Sequence, residues 1–261
     1  MNISKNWILF QKIDAVALIT LNNPQKMNTL NWELLEDMEK IQAAIENDVT
    51  IKAVVIKGEG KHFSTGVNLE TLKATDTQYM LRKLDWIQRV WTRWQELPVP
   101  VIAAIHGACI GGAMELVLAL DIRIAADNSF FRLPEVGLGI SPDMGGTTRL
   151  TKLVGPGQAK RIIMGNEEIK AEEALRIGLV EIVVPVAMLE ERAMNLAKKM
   201  SEMPPMGMRW AKKGINLAAE SSVTSGLLFE QAQSICCFMT EDLQEGIRAF
   251  TEKRKPVFKG K

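Results

Sequence analysis

The sequence predicts an α/β fold with a helical C-terminal region, and three observations carry that prediction. Short apolar runs alternate with helical patterns through the first half of the chain, as in a strand-helix-strand architecture rather than a bundle or a sandwich. Strand signals fade after about residue 150 and helix signals take over. No apolar stretch approaches the roughly 20 residues that a bilayer span needs.

The elements follow in order. Trp7 to Gln11 and Val16 to Leu21 read as the first two strands. Behind Asn31, a plausible N-cap, Leu34, Met38, Ile41 and Ile45 recur at helical spacing, giving an amphipathic helix with an acidic outer face. Ala53 to Lys57 is a third strand. A helix from Gln78 to Leu97 carries Leu81, Leu84, Trp91 and Trp94, and ends at Pro98 and Pro100, which cannot continue it. Val101 to Ile105 is a strand leading through a Gly-rich loop into a helical run near Gly111 and Gly112, and Ile122 to Ala126 is another strand. Beyond residue 150, helical patterns cover Gln158 to Met164, Ala171 to Ile177, Ala187 to Met200, Met208 to Ala219 and a last stretch from Leu227 through Phe250, with only Leu179 to Val184 resembling a strand. The expected division is a core over residues 1–200 and a helical region over 201–261.

The chain has 261 residues, and Lys+Arg 32 against Asp+Glu 31 gives a net charge of +1, which excludes a bulk polyanion such as nucleic acid as partner. That neutrality is a sum of opposed blocks: Glu33 to Asp48 holds six acids and one lysine, while Lys253 to Lys261 holds five bases and no acid. The 3 cysteines, Cys109 and the pair Cys236 and Cys237, lack CxxC spacing, so neither a disulfide framework nor a zinc site is expected. A reducing, intracellular setting follows. The N-terminus has one early Lys, a short apolar run and no small-residue cleavage site, and is expected to be the first strand rather than a signal peptide.

Three segments place polar residues where packing alone would not. HFSTGVNL, residues 62–69, follows a strand and puts Gly66 in a tight turn. In IHGACIGGAMELVLALDIRIAAD, residues 105–127, a helix starts near Gly111 and Gly112, where orphan N–H groups and the helix dipole favour negative charge. Glu115 lies in the first turn of that helix among apolar neighbours, and is either an anchor bonded by the helix start or a carboxylate held for chemistry. FRLPEVGLGISPDMGGTTRL, residues 131–150, adds Glu135 and Asp143. Each acid alone reads as a cap or loop residue; together, in Gly-rich apolar surroundings, the three suggest convergent carboxylates beside an anion-stabilising turn. A thioester enolate is the kind of charge such a turn could hold.

Through ITLNNPQKMNTL, FSTGVNL, the 105–127 and 131–150 segments and AFTEKRKPVFKGK, five motifs in order over essentially the whole chain, the sequence resembles the crotonase superfamily, also called the enoyl-CoA hydratase/isomerase family. The resemblance implies a spiral of repeated ββα turns, a C-terminal region that helps build a homotrimer or dimer of trimers and complete the CoA site, a cytoplasmic location and an acyl-CoA thioester substrate. No cofactor or metal is expected, coenzyme A being part of the substrate. The backbone N–H groups of Val67 and Gly112 match the family's oxyanion hole, where one donor is worth on the order of 3 kcal/mol of barrier stabilisation. Glu115 and Glu135 match the two hydratase glutamates, which hold a water over the C2=C3 bond; hydration is the first reading. Asp143 matches a catalytic aspartate of several isomerases, or else caps the turn into Gly145 and Gly146, which keeps an enoyl- or dienoyl-CoA isomerase open, as well as a hydratase for dienoyl or cyclic acyl groups. A non-catalytic CoA-ester-binding homologue is the third reading.

The family's frequent Ala-Gly-Ala-Asp turn reads Thr65-Gly66-Val67-Asn68, with Gly111 across from it, and these loop residues are expected to shape the substrate site. Lys26 and Phe258 match CoA-side positions, or are a solvated loop lysine and part of a frayed tail. Trp86, Trp91 and Trp94 lie in the region that shapes the acyl pocket in relatives; aromatic residues at helical spacing are usually core, and as pocket walls they would suit a flat or cyclic acyl group. A Cys109 nucleophile with His106 lacks an orienting third residue. No Walker or GxGxxG fingerprint is present, and the acidic first helix argues against the RNA-binding activity of one lysine-rich family member.

Overall fold

The structure, a computed structural model, describes residues 6–261. The first five residues, on which the leader reading and the start of the 1–200 core partly fall, lie outside the described residues. The chain opens with the antiparallel hairpin β1 (Ile8–Ile13) and β2 (Val16–Leu21). Helix α1 (Trp32–Asn47) follows, capped as expected by Asn31, whose side chain accepts from Leu34 N at 2.8 Å. Then come β3 (Ala53–Gly58), α2 (Leu69–Ala74), α3 (Thr77–Glu96), β4 (Val101–Ile105), β5 (Ala108–Ile110), α4 (Gly112–Leu118), β6 (Ile122–Ala126) and β7 (Phe130–Arg132). The second half holds α5 (Gly146–Met164), β8 (Ile169–Lys170), α6 (Ala171–Arg176), β9 (Ile182–Val184), α7 (Leu189–Ser201), α8 (Pro205–Ala218), α9 (Val223–Phe238) and α10 (Glu241–Thr251).

Two sheets result. The larger has the order β1-β2-β3-β4-β6-β9 and is parallel from β2 onward; the smaller is β5-β7-β8. Each turn of the chain lays one strand in the large sheet and a short one in the small layer before a helix returns it: β4 leads to β5, and β6 to β7. Isolated parallel bridges pair Ser64 with Cys109 and Leu30 with Val67, so the earlier turns enter the same small layer. This is the spiral expected from the sequence.

The parallel strands β2, β3, β4 and β6 of the large sheet are buried on both faces. Ala17, Ile19, Val54, Ile56, Ala103 and Ile105 face the main core with α1, α3 and α4. Val16, Leu18, Val55, Ile102 and Ile124 face α7, which lays Leu189, Ala193 and Ala197 on them. The four-residue spacing of that stripe, with two alanines, lets the helix sit close to the strands.

The sequence missed the small layer. β5, β7 and β8 are each three residues or fewer, too short for a period-2 signal. The Leu179 to Val184 strand shrinks to β9 because Leu179 and Val180 are drawn into the core around α6. The last helical stretch is two helices, since Thr240 caps α10 by accepting from Leu243 N at 3.2 Å.

Helices α8 and α9 pack on each other through Trp210 and Phe229, whose ring centroids are 5.6 Å apart. The joint to the core is polar. Lys212 of α8 bonds Asp121 Oδ2 at 2.7 Å and donates to the carbonyls of Val99 at 2.9 Å and Trp94 at 3.3 Å. Asp121 Oδ2 also accepts from Val101 N at 2.7 Å. Removing one partner of such a buried pair leaves an uncompensated charge. Lys212→Met is expected to lower unfolding free energy in urea titration by about 3 kcal/mol, and adding Asp121→Asn, which keeps the acceptor for Val101, to regain at least half; a single variant as stable as wild type would contradict this.

Candidate active site

The site begins where two stretches of main chain nearly touch. Leu30 N donates to Gly66 O and Asn68 N to Leu30 O, both at 2.8 Å. That bridge turns the N–H of Val67 away from Leu30, and Val67 Cγ2 lies 3.1 Å from where Gly112, the first residue of α4, would carry a Cβ. Gly66 has φ 83°, and a Cβ there would lie 2.5 Å from Ile110 O and 3.3 Å from Gly112 N. Only glycine permits this approach. Asn68 holds the far side of the turn by accepting from Glu70 N at 2.8 Å, which caps α2, and Thr65 N donates to Met27 O at 3.1 Å. Among the described residues, neither Val67 N nor Gly112 N has an acceptor. The second is an orphan donor of a helix start.

Glu115, one turn into α4, is 2 % exposed. Its Oε1 accepts from Met144 N at 2.9 Å and Gly146 N at 2.8 Å. The anchor anticipated at its own helix start therefore comes from another, that of α5. Position 146 must be glycine, because a Cβ would lie 2.8 Å from Glu115 Oε1 and 2.7 Å from Pro142 Cβ. Glu135, 9 % exposed, opens a 3-10 turn, and its Oε1 lies 2.9 Å from where Gly111 would carry a Cβ. Its Oε2 is buried and has no hydrogen-bond partner among the described residues, an expensive arrangement unless the oxygen serves something else. Asp143 is half-buried, and its carbonyl accepts from Gln88 Nε2 at 2.7 Å.

Burial pushes the Glu115 carboxyl up to about 8, with the charges of Glu135 and Asp143 adding to it and the two backbone donors opposing it. Burial likewise lifts Glu135 to about 7, with Asp143 adding to it. Asp143 is also raised, again by burial. Two carboxyls poised near neutrality beside a pair of free backbone donors can take a proton from one atom and give one to another while an oxyanion forms.

A profile of the enoyl-CoA hydratase/isomerase family matches residues 11–261. The chain belongs to that family. The short-chain-enoyl-CoA hydratase of Clostridium acetobutylicum is 40% identical over 252 residues, covering 96% of each chain. The 2,3-dehydroadipyl-CoA hydratase of Escherichia coli is 35% identical over 254 residues, covering 97% of this chain and 99% of its own. The crystal structure of an enoyl-CoA hydratase from Bacillus anthracis superposes with a TM-score of 0.94 at 36% identity, covering 98% of this chain and 100% of that one. The fold is thus the crotonase fold that the motifs implied.

The structure brings Glu115, Glu135, Asp143, Val67, Gly112, Gly111 and the Thr65–Asn68 turn into one region. Lys26 is exposed in the 3-10 turn Pro24–Lys26, next to Met27, the residue that receives Thr65 N. Phe258 is not brought there within one chain: it lines a separate cleft of about 510 Å³ with Ile13, Lys52 and Lys198. Trp91 and Trp94 are fully buried and are core rather than pocket walls. Trp91 Nε1 donates to Gly112 O at 3.2 Å, a role that helical spacing alone could not reveal. Trp86 turns to α1, donating to Glu39 at 3.3 Å. Cys109 is fully buried with its thiol pushed up by that burial, unsuited to a nucleophile. No group of three His, Cys, Asp or Glu able to hold a metal occurs among the described residues.

Because both glutamate pKa values are raised from 4.5, the native state binds more protons than the unfolded chain between roughly pH 4.5 and 8, and stability falls as pH rises through that window. Glu115→Gln keeps an oxygen for the two N–H groups and removes the ionisation. Its Tm relative to wild type is expected to rise steadily from about pH 5 to about pH 9, by ~2–4 °C for each kcal/mol relieved. A calorimetric difference independent of pH would contradict the assignment.

Proposed function

We propose that this chain is an enoyl-CoA hydratase, adding water reversibly across the C2=C3 bond of a 2-enoyl-CoA thioester. The observation that carries the reading is the pairing of two buried, near-neutral carboxyls, Glu115 and Glu135, with two acceptor-free N–H groups, on Val67 and Gly112. A water held between the glutamates loses a proton to one carboxylate as its oxygen bonds to C3. The C2=C3 electron pair moves toward the thioester, whose oxygen becomes an enolate held by the two N–H groups. The other carboxyl, protonated at the start, delivers its proton to C2. One H and one OH have been added, and the glutamates have exchanged protonation states. The reaction needs neither cofactor nor metal.

Glu115→Gln and Glu135→Gln are each expected to lower crotonyl-CoA hydration by at least ~10²–10⁴-fold, read as loss of conjugated thioester absorbance, with the circular dichroism spectrum retained. Hydration persisting in Glu115→Gln would overturn the mechanism, and wild-type inactivity on short enoyl-CoA and dienoyl-CoA esters would favour a non-catalytic CoA-ester binder. The half-buried Asp143, its carboxyl raised by burial, supports a second reading as a double-bond isomerase. Asp143→Asn sparing hydration fits the first; loss of dienoyl-CoA isomerisation alone fits the second.

We read residues 201–261 as the oligomer-forming part of a cytoplasmic homotrimer or dimer of trimers. Leu228, Phe238, Ile247 and Phe250 are exposed on α9 and α10, apolar side chains that an assembly would cover. In the assembly, Lys26 and a neighbour's Phe258 would meet the CoA moiety. Multi-angle light scattering is expected to give three or six times the mass of 29.1 kDa; a monomer would contradict the assembly without touching the chemistry. No described helix is long and apolar enough to cross a membrane.

A further inference from the structure

The turn that binds Glu115 does not hold itself. Gly145, with φ 113°, sits between the two donors Met144 N and Gly146 N, and a Cβ there would fall on the guanidinium of Arg149. Arg149, one turn into α5, donates from Nη1 to Met144 O at 3.2 Å, from Nη2 to Thr92 Oγ1 at 2.9 Å and from Nε to Gln95 Oε1 at 3.2 Å. Gln88, on the same face of α3, reaches Asp143 O at 2.7 Å. The carbonyls of Asp143 and Met144 are therefore both tied to α3, one directly and the other through Arg149. The same helix holds Gly112 O through Trp91.

Arg149 is costly where it stands. Burial lowers its pKa, with the charges of Glu115, Glu220 and Glu96 opposing that, yet all three of its hydrogen-bond acceptors are neutral. A lysine presents a point charge and cannot reach three acceptors in one plane, whereas the guanidinium fork can. An apolar side chain could fill the volume but not fix the Met144 peptide.

We propose that Arg149 is a positioning residue for the hydration chemistry: by gripping the Met144 carbonyl it sets the two N–H groups that aim the Glu115 carboxylate. This rests on the hydratase reading above for its kinetic consequence, but not for its structural one. Met144 O lies in the Met144–Gly145 peptide, which links the two donor-bearing peptides; without the grip that link is loosened, the donors on either side drift from Oε1, and Glu115 loses the interactions that hold its proton affinity down against burial and against the Glu135 and Asp143 charges.

The test compares wild type with Arg149→Lys and Arg149→Met, using crotonyl-CoA from about pH 5.5 to about pH 9.5. Both variants are expected to lose on the order of 10²-fold in kcat, the scale of a small misplacement of a catalytic group, with KM within about threefold. The pH at which kcat rises is expected to move upward, which a merely structural role would not cause. Amide exchange at Met144 and Gly146 is expected to quicken by about tenfold, the scale of one lost hydrogen bond, while exchange in β2, β3 and β4 stays as in wild type. Thr92→Val, which removes one acceptor and leaves the Met144 grip, is expected to fall between wild type and the Arg149 variants, and it covers the case in which those variants fold poorly. Unchanged exchange at Met144 and Gly146 would overturn the proposal. So would a kcat loss that follows Tm alone and leaves the pH profile in place. If wild type hydrates no enoyl-CoA, the hydratase reading fails, and the exchange measurement still decides whether Arg149 holds the turn.

Discussion

A single buried oxygen, Glu115 Oε1, organises the centre of this protein. It accepts two main-chain N–H groups from a turn far along the sequence, and it does so inside a helix whose residues are all buried. Unpaired, a carboxylate in that position would cost several kcal/mol. The pairing fixes the glycine at 146, the path of the chain from Pro142 into α5, and the distance between α4 and α5. Among the described residues it leaves Glu115 Oε2 without a backbone tie, within reach of the charge of a second carboxyl, Glu135, whose buried Oε2 also lacks a partner there. Only one end of the side chain is thus spent on structure.

The pair of acceptor-free N–H groups has a different origin. It depends on the spiral bringing successive turns into the small layer, so that residues 64–67 run beside 109–112. Short strands are an advantage in that layer: they end quickly, and the N–H groups just past their ends find no ladder partner. Gly112 N is such a group past the end of β5, while Val67 N is turned away from its partner by the Leu30–Val67 bridge. The large sheet supplies rigidity beneath, buried between α7 on one side and α1, α3 and α4 on the other.

How much of this was legible in the residues follows from range. Val16–Leu21, Val101–Ile105 and Ile122–Ala126 were readable to the residue, because a strand buried on both faces writes a mostly apolar run, broken here only by Thr20 and Arg123. Glu115, Glu135 and Asp143 stood out as acids in apolar, Gly-rich company, and the motif resemblance gave them roles. The partners of these groups were not legible. Gln88, Trp91 and Arg149 act across 55, 21 and 5 positions, and the first two look like ordinary members of an amphipathic helix. Even the shortest of these links was hidden, because a Gly-Gly-Thr-Thr-Arg run gives no sign that its arginine folds back on the preceding turn. Thr240, which breaks the last helical pattern, escaped because one capping hydroxyl is weak against the apolar periodicity on either side of it.

The polar joint of α8 has a consequence in time as well as in space. The last carbonyls of a helix have no partner within it, and for α3 two of them are met from the C-terminal region: Trp94 O by Lys212 Nζ at 3.3 Å and Gln95 O by Asn216 Nδ2 at 3.1 Å. The helix that steadies the carboxylate turn and the start of α4 is therefore left open at one end until residue 216 has been made. A nascent chain can lay down Val67, Gly112, Glu115, Glu135 and Asp143 and still lack the finish of the helix beneath them. The last turn of α3 is thus completed by a segment more than a hundred positions downstream.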